Sequence, residues 1–248
     1  MKAFYRSALL LLLSALPAVV LALTSAELEQ IKTTIAVQYD AVDDAMLEQA
    51  YRTHLTIERP EHPLSTQLTD FDPKRASGDK ERLIQVDQAP PDDGDIADFN
   101  RRPQPDERDT QRIRLRIDYD SLEPVMIRDS IITFAFQPRL LINGREDSDS
   151  RRFRGELKYD LQQQHLRQVS MNSTEPFTKL LFRVRGFEVE EHFLLAQGKL
   201  LRERYFHDMD LGNPLINASN RITMKFAYPA PLRLGLYPDL YQQNGLAE

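Results

Sequence analysis

From Gln111 onward the chain returns to an apolar residue at every second position. Ile113, Leu115, Ile117 and Tyr119 alternate with Arg112, Arg114, Arg116 and Asp118. Phe153, Leu157 and Tyr159 alternate with Arg152, Arg154, Glu156 and Lys158. Phe187, Val189, Phe193 and Leu195 alternate with Glu188, Glu190 and His192. Ile222, Met224, Phe226 and Tyr228 alternate with Arg221, Thr223 and Lys225. Successive side chains of a strand project to opposite faces, so this period predicts half-buried strands with one apolar and one polar face. Asn143-Gly144, Asp160–Gln164 and Gln197-Gly198 read as hairpin turns. Connections this short require antiparallel pairing. The pattern predicts a meandering antiparallel sheet of roughly six or more strands.

The N-terminal third has a different period. Leu28, Ile31, Ile35, Tyr39, Val42 and Met46 recur at helical spacing, and Thr24 or Ser25 can cap the start. This predicts one or two helices over residues 24–50. Strands are predicted at Tyr51–Glu58 and Leu83–Val86, and a short helix at Asp95–Arg101. Residues 102–109 carry two prolines among charged residues and read as a mobile linker. Beyond residue 228, Pro229, Pro231, Gly235 and Pro238 predict an irregular tail over 229–248. The fold class is therefore α+β, a single domain over 23–228, with no internal repeat.

Residues 1–22 order themselves as an export signal. Lys2 and Arg6 are basic, Ala8 to Leu16 is apolar, Pro17 ends the run, and Val20-Leu21-Ala22 suits a cleavage site. The apolar stretch is shorter than the roughly 20 residues a membrane span needs. A soluble mature chain beginning near Leu23 is expected. The chain has no cysteine, which excludes disulfides, thiolate metal sites and a cysteine nucleophile. An exported domain without disulfides fits a bacterial periplasm. Against 38 acidic residues stand 32 basic ones, a net charge of −6. Nucleic-acid binding would call for a basic excess and is not expected.

Few residues suggest a reaction. The histidines form no HExxH pattern, and no GxSxG, GxGxxG or P-loop is present. Glu188, Glu190 and His192, with His207, Asp208 and Asp210 on the next strand, could hold a divalent ion. Ion pairing across a solvated sheet face explains the same residues. No catalytic residue, metal or cofactor is expected. Arg112, Arg114, Arg116, Arg152, Arg154, Arg183, Arg185, Arg202 and Arg204 recur opposite the apolar set. They suit cross-strand pairing or transient contact with an anionic membrane surface.

Several tracts carry a family resemblance. Leu83-Ile84-Gln85-Val86-Asp87-Gln88-Ala89-Pro90-Pro91 precedes the short helix. Gly155-Glu156-Leu157-Lys158-Tyr159-Asp160 runs on through Leu166-Arg167-Gln168-Val169 to Glu175-Pro176-Phe177, and Asn220-Arg221-Ile222-Thr223 follows a long strand pair. Over residues 50–228 this order resembles an exported proteobacterial branch of the periplasmic lipoprotein and lipid carriers (LolA-like). Asp87-Gln88-Ala89 departs from that pattern by lacking a glycine after the aspartate.

The resemblance implies a curved antiparallel sheet, an incomplete β-barrel, covered by helices from the N-terminal third. It implies no catalytic residue and a lipid or a lipidated protein as partner. The apolar strand faces are then the cavity candidates: Ile113, Leu115, Ile117, Phe153, Leu157, Phe187, Val189, Phe193, Ile222, Met224 and Phe226. Two competing readings are a cell-envelope scaffold with a filled core and a hydrolase built on Glu188, Glu190 and His192.

Overall fold

The structure, a computed structural model, describes residues 23–102, 113–142, 145–179, 182–212 and 219–229. The export segment, the linker beyond Arg102, the Asn143-Gly144 turn and the tail beyond Pro229 lie outside the described residues.

Helix α1 spans Ser25–Asp40 and α2 Val42–Leu47. Thr24 opens α1 with a capping box: its hydroxyl accepts from the Glu27 backbone N–H at 3.2 Å, and the Glu27 carboxylate accepts from the Thr24 N–H at 2.7 Å. Two N–H groups that a helix start leaves orphaned are thereby satisfied. Asp92 and Asp95 repeat the device at α3, Asp93–Asn100.

The strands are β1 (Tyr51–Glu58), β2 (Ser65–Phe71), β3 (Glu81–Val86), β4 (Ile113–Ile117), β5 (Glu123–Arg128), β6 (Ile131–Phe136) and β7 (Pro138–Ile142). After them come β8 (Arg145–Glu146), β9 (Phe153–Asp160), β10 (His165–Ser173), β11 (Phe177–Lys179), β12 (Phe182–Ala196), β13 (Lys199–Gly212) and β14 (Asn220–Ala227). All described pairings are antiparallel. The main sheet has 11 strands in the order β3-β2-β1-β14-β13-β12-β10-β9-β6-β5, with β11 paired beside β12. It is open, because the two outermost strands, β3 and β5, do not meet. The expected meander holds within segments only, since β1 pairs with β14, the last described strand.

Two local features set the hairpins. Gln197 and Gly198 both have positive φ, at 51° and 76°, which gives the twist a two-residue hairpin needs between β12 and β13. Asp129 and Ser130 turn β5 into β6 in the same way, at φ 49° and 64°. The edge strand β5 exposes Val125, Met126 and Ile127. Pro124 and a register shift beside it interrupt this edge, which makes it a poor template for another strand.

Ile113–Ile117 belongs to a separate three-stranded sheet, β4-β7-β8. Alternation identifies a strand but cannot say which sheet it joins. The sheets meet through their side chains: Ile117 is buried in the main core, and Leu115 touches both that core and a smaller cluster of Leu140, Phe153, Phe177 and Val184. The main core lies on one face of the large sheet. It joins Phe134, Leu157, Val169 and Phe193 with Ile35, Val42 and Met46 of the helices. Thus α1 lies against β10 and β13, and α2 against β13.

Candidate functional site

Register fixes which side chains share the apolar face of the main sheet. Leu55 of β1 stands opposite Met224, Met224 opposite Tyr205, and Tyr205 opposite Glu191. One pleat further on, Ile57, Ile222, His207, Val189 and Met171 form the next row. Burial divides these rows. On the side of β6, β9 and β10, Phe134, Leu157, Val169 and Met171 are buried. On the side of β1, β14, β13 and β12, Leu55, Ile57, Ile222, Met224, His207 and Val189 are only partly buried. With strands about 4.8 Å apart, this partly open apolar patch is about 14 Å wide across its four strands.

A polar network ties the helices to the packed part of this face. Glu191 is 6 % exposed although its row is otherwise nearly apolar. Its carboxylate accepts from the Tyr39 hydroxyl at 2.9 Å and from Arg202 Nε at 2.7 Å. Arg202 also reaches Asp43 of α2 at 3.2 Å. Burial, and then the charge of Glu191, push the Tyr39 hydroxyl far above the usual tyrosine range. Burial alone would lower Arg202, but Glu191 and Asp43 outweigh it and hold the guanidinium charged. Burial also pushes Tyr205 up to about 12. At the same end of α1, Gln38 receives the Leu166 N–H at 3.0 Å and donates to the Gln164 carbonyl at 3.0 Å.

Arg202 corrects the sequence reading, which set it on the polar face beside Arg204. A register shift follows His192, so that His192 faces Arg204 but Phe193 faces Arg202. A bulge inserts one extra residue and so reverses the phase beyond it. The strict alternation assumed across 199–212 does not survive it.

The opposite face is solvated and ion-paired. Arg185 meets Asp210 at 2.6 Å, Arg221 meets Asp208 at 2.7 Å, and Arg204 meets Glu190 at 2.6 Å. Glu190 also touches His192. Glu188 stands opposite Asp208, whereas His207 projects to the apolar face, away from both. Among the described residues no three His, Asp or Glu side chains gather as a metal site. A groove of about 380 Å³ on this face is lined by Asn172, Thr174, Arg185, Glu188, Asp208 and Asp210. Arg185, Asp208 and Asp210 of this lining are ion-paired within the protein, and the lining is unlike an apolar binding site.

The cavity candidates named from sequence therefore fall into groups. Val189, Ile222 and Met224 lie in the partly open patch, with Phe187 at its margin in ring contact with His207. Leu157, Phe193, Phe226 and Ile117 are packed into the main core, and Phe153 into the smaller cluster. Leu115 bridges the two clusters, and the side chain of Ile113 lies outside the described ones. Leu55, Ile57 and Tyr205 complete the patch and were not singled out, together with His207, which the sequence offered only as a possible metal ligand. Their signal was the same alternation, in β1 and β13, where polar neighbours dilute it.

Comparison of the chain with protein-family models, with curated proteins and with solved structures finds no match.

Proposed function

We propose that this protein is an exported, non-enzymatic carrier of an acyl chain in the bacterial periplasm, with the sheet acting as a half-barrel of the LolA-like kind. The observation that carries the reading is the partly open patch of Leu55, Ile57, Val189, Ile222 and Met224 on the face that elsewhere forms the packed core. Burying such a side chain fully is worth about 1.5–3 kcal/mol. A patch that forgoes part of that gain gains it back when an apolar ligand lies across it. α1 and α2 cover the neighbouring part of the face, and the buried Glu191–Arg202 pair keeps them there. The basic-apolar-small order of residues 1–22 supports export. Among the described residues no helix is long and apolar enough to cross a membrane.

The test is native mass spectrometry with lipid extraction on protein isolated gently from its own cell envelope. Co-purifying acyl chains are expected on a chain beginning near Leu23, and their loss from Ile222→Glu. Ile222 is partly exposed, so that variant should keep its melting curve. An intact Met1 in the cytoplasm would remove the export reading. A folded envelope protein that never carries lipid would favour the scaffold instead.

A further inference from the structure

Two polar side-chain atoms on the apolar face are buried without a hydrogen-bond partner: His207 Nε2 and Asn220 Oδ1. They belong to one spot. Met209 faces Asn220 and His207 faces Ile222, so His207 and Asn220 are diagonal neighbours on adjacent strands. That places their Cα atoms about 7–8 Å apart, close enough for one small group to reach both side chains. Their surroundings are apolar: Ile57, Ile222 and Val189 share the row of His207, and the Phe187 ring lies 5.1 Å from its imidazole.

Among the described residues of β1, β12, β13 and β14, no unpaired charge shares this face beside the spot. Asp208, Asp210, Glu188, Glu190, Arg221 and Glu58 all project to the other face of the sheet, as the register requires. The charge nearest on the same face is Glu191, one row away, and it is engaged by Arg202 and Tyr39. Burial holds His207 below the ordinary histidine range, although Asp208 opposes this, so the ring is neutral near neutral pH. A carboxylate or phosphate placed here would be buried without a cation, which is costly. An uncharged group would not be. Asn220 Oδ1 needs a donor, and a neutral imidazole nitrogen can donate or accept according to tautomer. A hydroxyl satisfies both.

We infer that the patch takes an uncharged acyl derivative, whose hydroxyl or amide head is held between His207 and Asn220. This rests on the acyl-binding reading above and adds the chemistry of the head. Free fatty acids and phospholipid headgroups are disfavoured by the same argument.

The experiment displaces a fluorescent apolar probe, N-phenylnaphthylamine, from the full protein near pH 8. The competitors are monooleoylglycerol and oleate, which share a chain and differ in the charge of the head. Monooleoylglycerol should displace the probe at about a tenfold lower concentration, the effect of roughly 1.4 kcal/mol. His207→Leu and Asn220→Leu should each reduce that preference severalfold, read as the ratio of the two competitors' displacing concentrations for each variant. Both should remain folded, since neither His207 Nε2 nor Asn220 Oδ1 has a hydrogen-bond partner in the protein, and a melting curve on each checks this. Probe binding with oleate equal or superior to monooleoylglycerol would overturn the inference. So would a preference that survives both substitutions. A folded protein that binds neither probe nor lipid would instead overturn the acyl-binding reading, and this inference with it.

Discussion

Replacing Glu191 by leucine should destabilise the protein more than any change to the charged face one residue away. Glu191 is the only acceptor described for the Tyr39 hydroxyl and the buried counter-ion of Arg202. Without it, Arg202 keeps Asp43, whose side chain is 79 % exposed and 3.2 Å away. Removing one partner of a buried ion pair costs about 3–5 kcal/mol, because the other charge is left uncompensated. Arg202 retains 21 % side-chain exposure, which points to the lower end, about 3 kcal/mol. For a chain of this size each kcal/mol lowers the midpoint by about 2–4 °C, so a fall of about 6–12 °C is expected. The double variant Glu191→Leu with Arg202→Met removes both charges and should melt well above Glu191→Leu, within a few degrees of the parent. Glu190→Leu, on the solvated face, should cost less than about 1 kcal/mol. Thermal unfolding followed by circular dichroism gives all four values. The reasoning is wrong if Glu191→Leu melts no lower than Glu190→Leu, or if the double variant melts no higher than Glu191→Leu.

Gly155 stands opposite Phe136 on the neighbouring strand, and a β-carbon there would stand inside the buried Phe136 ring. Gly155→Ala should therefore cost about 1–3 kcal/mol by overpacking, read as a lower urea midpoint, and adding Phe136→Leu should recover part of it. Acid should also weaken the fold, because burial lowers His54, His165 and His207 in the native state. The unfolded chain then binds more protons, so stability is complete above about pH 6.5 and declines as pH falls through the native values. His207→Leu should make that decline shallower between about pH 6.5 and 5, above the range where carboxylates titrate; an unchanged slope would count against a buried neutral imidazole.

Much of the sheet could be read from the chain because its apolar residues keep phase over whole strands. The alternation in β9, β12 and β14 led to Leu157, Phe193 and Phe226 in the core and to Val189, Ile222 and Met224 in the patch. Helical spacing and the Thr24 cap located α1, and Gln197-Gly198 marked the longest hairpin. Other elements had no such signal. In β2, Ser65, Gln67 and Thr69 share the face of Phe71, so the row is polar until its end. β5 runs through Val125, Met126 and Ile127 without alternation, because an edge strand has less to bury. Whether a strand belongs to the main sheet or the small one depends on contacts distant in sequence, and so does the depth at which an apolar side chain finally lies. The phase of Arg202 was lost at a bulge that no residue type announces.

The pairing of β1 with β14 also governs the order in which the molecule can assemble. Arg52 meets Ala227, and Glu58 meets Arg221, so β1, which pairs with β2 early, finds its second neighbour only after most of the described chain exists. Closing so long a loop is slow compared with forming the β12–β13 hairpin. A chain emerging from its N-terminus carries β1, β2 and β3 as a three-stranded flap with Tyr51, Leu55, Ile57 and Phe71 uncovered. Until residues 220–227 arrive, one edge of β1 has no partner strand. The strand that joins β1–β3 to the rest of the sheet is thus also the one that removes this exposed edge.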